Sequence, residues 1–169
     1  MQRDGVCAEV VAPAPRSGAL PEQARALAER IATELEVTGV LAVELFETSD
    51  GRLLVNELAM RPHNTGHWTI DGAVTSQFEQ HLRAVLDLPL GAPSPTAPWS
   101  VMVNVLGGPA DGAMPNRYPA ALEADAGVKI HSYGKQSRPG RKVGHVTATG
   151  AELDDTAARA RAAAGFFQA

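Results

Sequence analysis

Two glutamates, Glu44 and Glu57, are the side chains of this sequence best placed to do chemistry. They sit in apolar runs, VLAVELF and LLVNEL, on either side of a TSDG turn. Asp50-Gly51 is the signature of a two-residue type I′ hairpin loop, because both residues tolerate positive φ. The register that sets Ser49 against Arg52 also sets Glu44 directly against Glu57. Opposed Cβ atoms lie about 4.5–5.5 Å apart, and like charges there repel. An unpaired carboxylate in an apolar strand is costlier still. A hard divalent ion, held by two carboxylates and completed by phosphate oxygens, answers both difficulties. The other reading leaves both acids on a solvated sheet face, and a one-residue slip would part them.

Two further groups of residues bear on that pair. Asn56, beside Glu57, has an amide oxygen to add to a metal shell. Just beyond lie Arg61, His63, Asn64 and His67. An arginine offers a planar donor fork suited to carboxylate, bicarbonate or phosphate, and a histidine two residues on can orient or deprotonate what it binds. Four cations, Lys135, Arg138, Arg141 and Lys142, fall close together in GKQSRPGRK, where Gly134 and Gly140 let the backbone fold tightly. That loop is either a cradle for a phosphomonoester or a solvated basic turn. Cys7 reads as a small strand residue, no Cys/His spacing suits zinc, and His81 and Glu79 read as surface or capping residues. The GG-P after residue 106 is weak as a phosphate loop.

Positioning these groups requires a recognisable set of elements. Residues 6–12 read as a strand closed by Pro13 and Pro15. A helix opens at Pro21, carries Leu27, Ala28, Ile31 and Leu35 at helical spacing, and stops at Thr38-Gly39. Ser76 with Glu79 is a capping box for a second helix bearing Phe78, Leu82, Val85 and Leu86. The proline-rich stretch 91–98 marks a subdomain boundary, dividing 1–92 from 93–169. Beyond it come strands at 99–106, 128–133 and 142–149, a loop from 107 to about 127, and an alanine-rich closing helix from 153 to 167.

Composition sets the outer limits. With 169 residues the chain can bury a core. A net charge of −4 argues against general nucleic-acid binding. One cysteine excludes an internal disulfide framework and fits a reducing compartment. Without a signal peptide or a membrane-spanning apolar run, the expected location is the cytoplasm.

The segments GVLAVELF, LLVNELAMRPHNTGHWTIDGAVTSQFEQHLRAVLDLPLG and YGKQSRPGRKVGH together resemble the C-terminal half of the N5-carboxyaminoimidazole ribonucleotide synthase family. These are ATP-grasp enzymes of purine (IMP) biosynthesis. The resemblance runs from RDGVCAEVVAPAP to the last helix, and NELAxRPHNxGHWTIDG is its most specific part. Met60, where the family often has Pro, is a small departure. The implied fold is α+β: the C-terminal part of an ATP-grasp domain, an antiparallel sheet with helices, then a small β-rich domain with a closing helix.

The implied activity is a ligase reaction. ATP phosphorylates bicarbonate to carboxyphosphate, and the released CO2 or the mixed anhydride itself carboxylates the amine of 5-aminoimidazole ribonucleotide. Glu44 and Glu57 match the acids that hold Mg²⁺ (or Mn²⁺) on the ATP phosphates, with Asn56 and Glu57 at the nucleotide. Arg61, His63 and Asn64 match residues at the bicarbonate position, and Lys135 and Arg141 match cations for the ribonucleotide phosphate. The implied partners are that ribonucleotide, bicarbonate and ATP, with no nucleic acid or membrane, and a homodimer is compatible with the family. The family's N-terminal domain and the subdomain bearing its adenine contacts have no counterpart here. The expectation is therefore a C-terminal portion, incompetent as a ligase in isolation. The alternatives are a non-catalytic or split-subunit nucleotide- or ribonucleotide-binding module, and another ATP-grasp carboxylase.

Overall fold

The computed structural model of the chain describes residues 1–3, 5–15 and 19–168. In order, its elements are β1 (Gln2–Arg3), β2 (Val6–Cys7), β3 (Glu9–Ala12), α1 (Leu20–Glu34), β4 (Ala42–Glu47) and β5 (Leu53–Ala59). A 3-10 turn (Asn64–Gly66), α2 (Thr69–Gly72), α3 (Gln77–Val85) and β6 (Trp99–Leu106) follow. A second 3-10 turn (Met114–Arg117) then leads to α4 (Tyr118–Ala124), β7 (Lys129–Ser132), β8 (Lys142–Gly150) and α5 (Leu153–Gly165). The fold is α+β with antiparallel sheets.

The main sheet has the order β3-β6-β8-β7, and every neighbour pair is antiparallel. Alternation along β6 splits its residues between two faces. Val101, Val103 and Val105 join Val146 and Ala148 of β8 in the core beneath α5. Ala157, Ala160, Ala163 and Ala164 line the facing stripe of α5, and their small side chains let helix and sheet approach closely. Phe167, fully buried, closes the end with an edge-on contact to Tyr118 at 5.9 Å. The opposite face is largely polar: Ser100, Asn104, His145 and Thr147 are all buried there, with Met102 between them. That face is turned toward α2 and the loop before it.

The sheet crosses the proline-rich stretch. β3, from the first part of the chain, is an edge strand of a sheet otherwise built from the second part. Glu9 fixes it by accepting two hydrogen bonds from Arg161 of α5, at 2.7 and 2.8 Å.

Three local features differ from what the sequence suggests. The first helix ends at Glu34 rather than at Thr38-Gly39. Glu36 takes φ 48°, Val37 N–H bonds Ala32 C=O and Glu36 N–H bonds Thr33 C=O. This is a helix-closing motif that usually carries glycine, so its signal is missing. The expected 107–127 loop contains α4, whose Pro119 and short length hide it. The hairpin loop has three residues, Ser49-Asp50-Gly51, with Thr48 N–H donating to Arg52 C=O at 2.9 Å and Gly51 at φ 79°. Asp50 is not at positive φ, so the loop is not type I′.

Candidate functional site

The longer hairpin loop would by itself set Glu44 against Asn56 and turn Glu57 to the opposite face. A β-bulge cancels the slip. From Glu47↔Leu53 to Leu45↔Val55 the strands keep one register, then shift so that Glu44 pairs with Glu57 and Asn56 is the extra residue. Bulges re-aim side chains in this way. Here the result is three oxygen-bearing groups on one face: Asn56 Nδ2 donates to Glu44 Oε2 at 3.0 Å, and both carboxylates lie near His63 Nε2, Glu44 at 3.7 Å and Glu57 at 3.6 Å. Glu44 is 21% and Glu57 52% exposed. A cavity of about 670 Å³ opens beside Glu44 and Asn56, walled by Val10, Val11, Val43 and Leu45.

His63 reaches the acids because its loop is tightly held. Its Nδ1 accepts from Thr65 N–H and lies 2.9 Å from Thr65 Oγ1, which leaves Nε2 facing the carboxylates. Gln77 clamps the backbone: Oε1 accepts from His63 N–H at 2.9 Å, and Nε2 donates to His63 C=O at 2.8 Å. The same Nε2 lies 2.7 Å from His67 Nδ1. Ser76 caps α3 through Glu79 N–H at 3.2 Å, which fixes where Gln77 starts. Glu79 itself turns to Arg83, at 2.9 Å, and not back to the cap. His81 Nδ1 accepts from Val40 N–H at 3.1 Å and anchors the start of the hairpin.

Asn64 exchanges two hydrogen bonds with Asn104 of β6, at 3.0 and 2.8 Å, and Asn104 also donates to Cys7 C=O. Much of the Asn64 amide is thus committed to the fold. Arg61 is exposed, and its guanidinium bonds only its own neighbour's carbonyl, Pro62, at 3.2 Å. It pairs with no acid among the described residues.

Beneath this loop lies a layer of aromatic and imidazole rings. His131 and His145, opposed on β7 and β8, stack with centroids 4.6 Å apart and 19° between planes. His131 Nε2 lies 2.8 Å from Asp71 Oδ2, and His145 Nδ1 lies 2.8 Å from the Tyr133 hydroxyl. The His67 ring is 5.5 Å from that of His145. Ligand atoms of Asp71, His131 and His145 lie within 4.8 Å of one another. The stacked rings, however, aim their in-plane lone pairs side by side rather than at one point, and His131 is already bonded to Asp71. The cluster is a polar packing layer rather than a metal centre.

Burial pushes the His145 imidazole down to about 3, with the positive fields of His131 and His67 adding to it. Burial also raises the Tyr133 phenol to about 12. The folded protein thus keeps His145 neutral where the unfolded chain protonates it, near its ordinary 6.5. Stability from this group is full above pH 6.5 and is lost as pH falls toward 3. The expected loss between pH 7 and pH 5 is about 2 kcal/mol, read from urea midpoints at the two pH values. His145→Gln should remove most of that difference, and an unchanged difference would refute the assignment.

The basic loop divides its cations. Lys135 Nζ sits 5.3 Å from the centre of the Tyr133 ring, above the ring layer. Arg138 lines a separate open cleft of about 570 Å³ together with Gly107, Gly108 and Ser137, and Arg138 and Arg141 together line a smaller open hollow of about 410 Å³. Gly107 N–H bonds Arg141 C=O, and Arg138 N–H bonds Gly107 C=O. Gly108, at φ 85°, is needed there, since a Cβ would meet Ser137 Oγ at 2.6 Å. Lys142 instead reaches back to Asn64 Oδ1 at 3.4 Å. Among the sequence candidates, then, Glu44, Asn56, Glu57 and His63 come together and Asn64 lies next to them. Lys135 lies at the Tyr133 ring, and Arg141 lies in the hollow that Arg138, Pro139 and Gly140 also line. Gln77, Asn104 and Tyr133 carry no chemical motif and escape sequence reading. For Gln77 the one available sign is its place directly after a capping serine.

Residues 1–78 match the ATP-grasp domain family, and residues 100–159 match the phosphoribosylaminoimidazole carboxylase C-terminal domain family. The N5-carboxyaminoimidazole ribonucleotide synthase of Mycobacterium bovis is 56% identical over 97% of this chain and 39% of its own length. That of Corynebacterium ammoniagenes is 55% identical over 99% of this chain and 42% of its own length. The crystal structure of the synthetase from Thermus thermophilus superposes with a TM-score of 0.80 at 43% identity, covering 98% of this chain and 43% of that one. The Aspergillus clavatus synthase in complex with ADP and 5-aminoimidazole ribonucleotide gives 0.84 at 34% identity, covering 96% of this chain and 44% of that one. The chain therefore spans about two fifths of the length of the relatives it matches.

Proposed function

We propose, since this chain belongs to the N5-carboxyaminoimidazole ribonucleotide synthase family, that it supplies the cation-binding hairpin and the ribonucleotide-facing domain of an ATP-dependent carboxylating ligase of purine biosynthesis. The observation that carries this is the convergence of Glu44 and Glu57, with Asn56 re-aimed beside them by a bulge. That donor set is all oxygen and partly exposed, which suits Mg²⁺ or Mn²⁺ with room left for phosphate oxygens and water. Glu44, Glu57 and the Asn56 amide oxygen would hold the ion. When bound, it supplies neutralisation of charge on the phosphate oxygens of ATP.

The remaining roles fall to side chains of the loop and the second part. Bicarbonate oxygen attacks the γ-phosphorus, ADP leaves, and the resulting carboxyphosphate delivers its carbon to the amine of 5-aminoimidazole ribonucleotide with loss of phosphate. Arg61 is the free donor fork for the oxyanion. His63 stands between that position and the acids, fixed by Gln77 and Thr65, and Asn64 shapes the floor. Lys135 and Arg141 receive the ribonucleotide phosphate. Matches on either side of 91–98 support two functional parts, 1–92 and 93–169. No helix among the described residues is long and apolar enough to cross a membrane, and the proposed setting is the cytoplasm.

The test is a chimera in which this chain replaces the matching stretch of the Mycobacterium bovis relative. ADP release dependent on bicarbonate and stimulated by the ribonucleotide is expected. In that chimera Arg61→Ala should lower kcat about 10- to 100-fold, because it acts where charge develops. Arg141→Ala should raise KM for the ribonucleotide about tenfold with kcat little changed, the mark of lost uniform binding. An unchanged KM would make the basic loop a solvated turn. A folded chimera without stimulated ADP release would overturn the functional assignment.

A further inference from the structure

Lys142 is the one cation of the basic loop that turns inward, and a second β-bulge is the reason. β8 pairs with β6 in one register from Trp99↔Gly150 to Val105↔Gly144, then shifts so that Leu106 meets Lys142. Val143 is the extra residue. Without the shift, strict alternation would place Val143 on the polar face with His145 and send Lys142 to the core face beneath α5. With it, Val143 joins the core and Lys142 shares the face of Asn104 and His145.

The ammonium that arrives there is poorly matched by the protein. Lys142 is half-buried, and an ammonium has three donors to place. Its hydrogen-bond acceptor among the described residues is Asn64 Oδ1, neutral and distant at 3.4 Å. That oxygen already accepts from Asn104 at 2.8 Å. No carboxylate lies within salt-bridge distance of Lys142 among the described residues. Its field is nonetheless felt at the site. The His67 imidazole is held below its ordinary value first by burial and then by the fields of its neighbours, Lys142 among them. A partly desolvated cation with free donors is costly unless an anion completes it.

We propose that Lys142 binds a small planar oxyanion, bicarbonate, against the Arg61–Asn64 segment, with Asn104 holding Asn64 so that its oxygen steers the ammonium. The identity of the oxyanion rests on the functional reading above. The placement separates two tasks within one basic sequence: Arg138 and Arg141 line an open outer hollow, while Lys142 reaches the loop bearing His63. Two bulges then serve one site from opposite sides, the first aiming Asn56 and the second aiming Lys142.

The test uses the chain itself, with ¹³C at lysine Cε and ¹⁵N in the side-chain amides, titrated separately with bicarbonate and with inorganic phosphate. Bicarbonate should give saturable shifts at Lys142 Cε and at the Asn64 and Asn104 amides. Lys142→Met should weaken that binding about 10- to 100-fold, the usual loss for a hydrogen bond to a charged group, and Lys142→Arg should recover most of it. Lys129→Met, on the exposed strand β7, should leave it unchanged. Absence of a saturable Lys142 shift in the unsubstituted chain overturns the proposal even if Lys142→Met fails to fold. Saturation by phosphate but not by bicarbonate also overturns it. Mn²⁺ binding to the same samples reports the hairpin independently. A chain that binds Mn²⁺ without the Lys142 shift refutes this inference alone, and one that shows the shift without binding Mn²⁺ refutes the hairpin reading alone.

Discussion

Glu57→Gln is expected to weaken Mn²⁺ binding at least about 100-fold while making the metal-free protein slightly more stable. The two effects come from one geometry. Glu44 and Glu57 are opposed and both approach His63 Nε2, so removing one of them removes a ligand charge from a site that has two. Loss of an outer-shell partner alone costs roughly 10- to 100-fold in metal affinity, and a direct ligand should cost no less. In the metal-free fold the pair is a like-charge contact, whose relief contributes up to roughly 1 kcal/mol, reduced here because Glu57 is half exposed. Calorimetric Mn²⁺ titration and urea unfolding of the same variant measure both. Lost stability together with unchanged affinity would return both acids to a solvated sheet face.

Gln77→Ala should be the more damaging substitution for the fold of the site. The Gln77 amide satisfies both the N–H and the C=O of His63 and touches His67, and both Gln77 and His63 are buried, at 8% and 9% exposure. Leaving two buried backbone groups unpaired costs roughly 2–6 kcal/mol at 1–3 kcal/mol each. The loop 61–67 should loosen before the sheet does, since neither Gln77 nor His63 belongs to the core beneath α5. Hydrogen exchange should therefore show the His63 and Thr65 amides losing protection while those of β6 and β8 keep it. Uniform loss across the sheet, or no loss at the loop, would contradict the local role.

How much of this was legible in the sequence varied with the range of the interaction. Alternation found the strands, because burial of every second residue leaves a pattern, and apolar spacing found α1 and α3 although neither buries its apolar residues here. The pairing of Glu44 with Glu57 was anticipated from a turn that does not form: the loop has three residues instead of two, and the Asn56 bulge restores the register the shorter loop would have given. A bulge has no short sequence signature, so neither that compensation nor the inward turn of Lys142 was readable. Gln77 and Asn104 were invisible for a related reason. Their importance lies in what they touch across 14 and 40 residues of sequence, and a lone amide carries no motif. The ring layer of His67, His131 and His145 depends on cross-strand register, which exists only once the sheet has formed.

The most direct test of a cation site on the hairpin is Mn²⁺-induced relaxation in the ¹⁵N- and ¹³C-labelled chain, because paramagnetic broadening falls steeply with distance and locates the ion without assuming its ligands. With substoichiometric Mn²⁺, the resonances of Glu44, Asn56, Glu57 and the His63 ring are predicted to broaden first and together, and those of Asp71, His131 and His145 to remain sharp. Broadening centred on the His131–His145 pair, or diffuse broadening over the acidic surface with no preference for the hairpin, would contradict it.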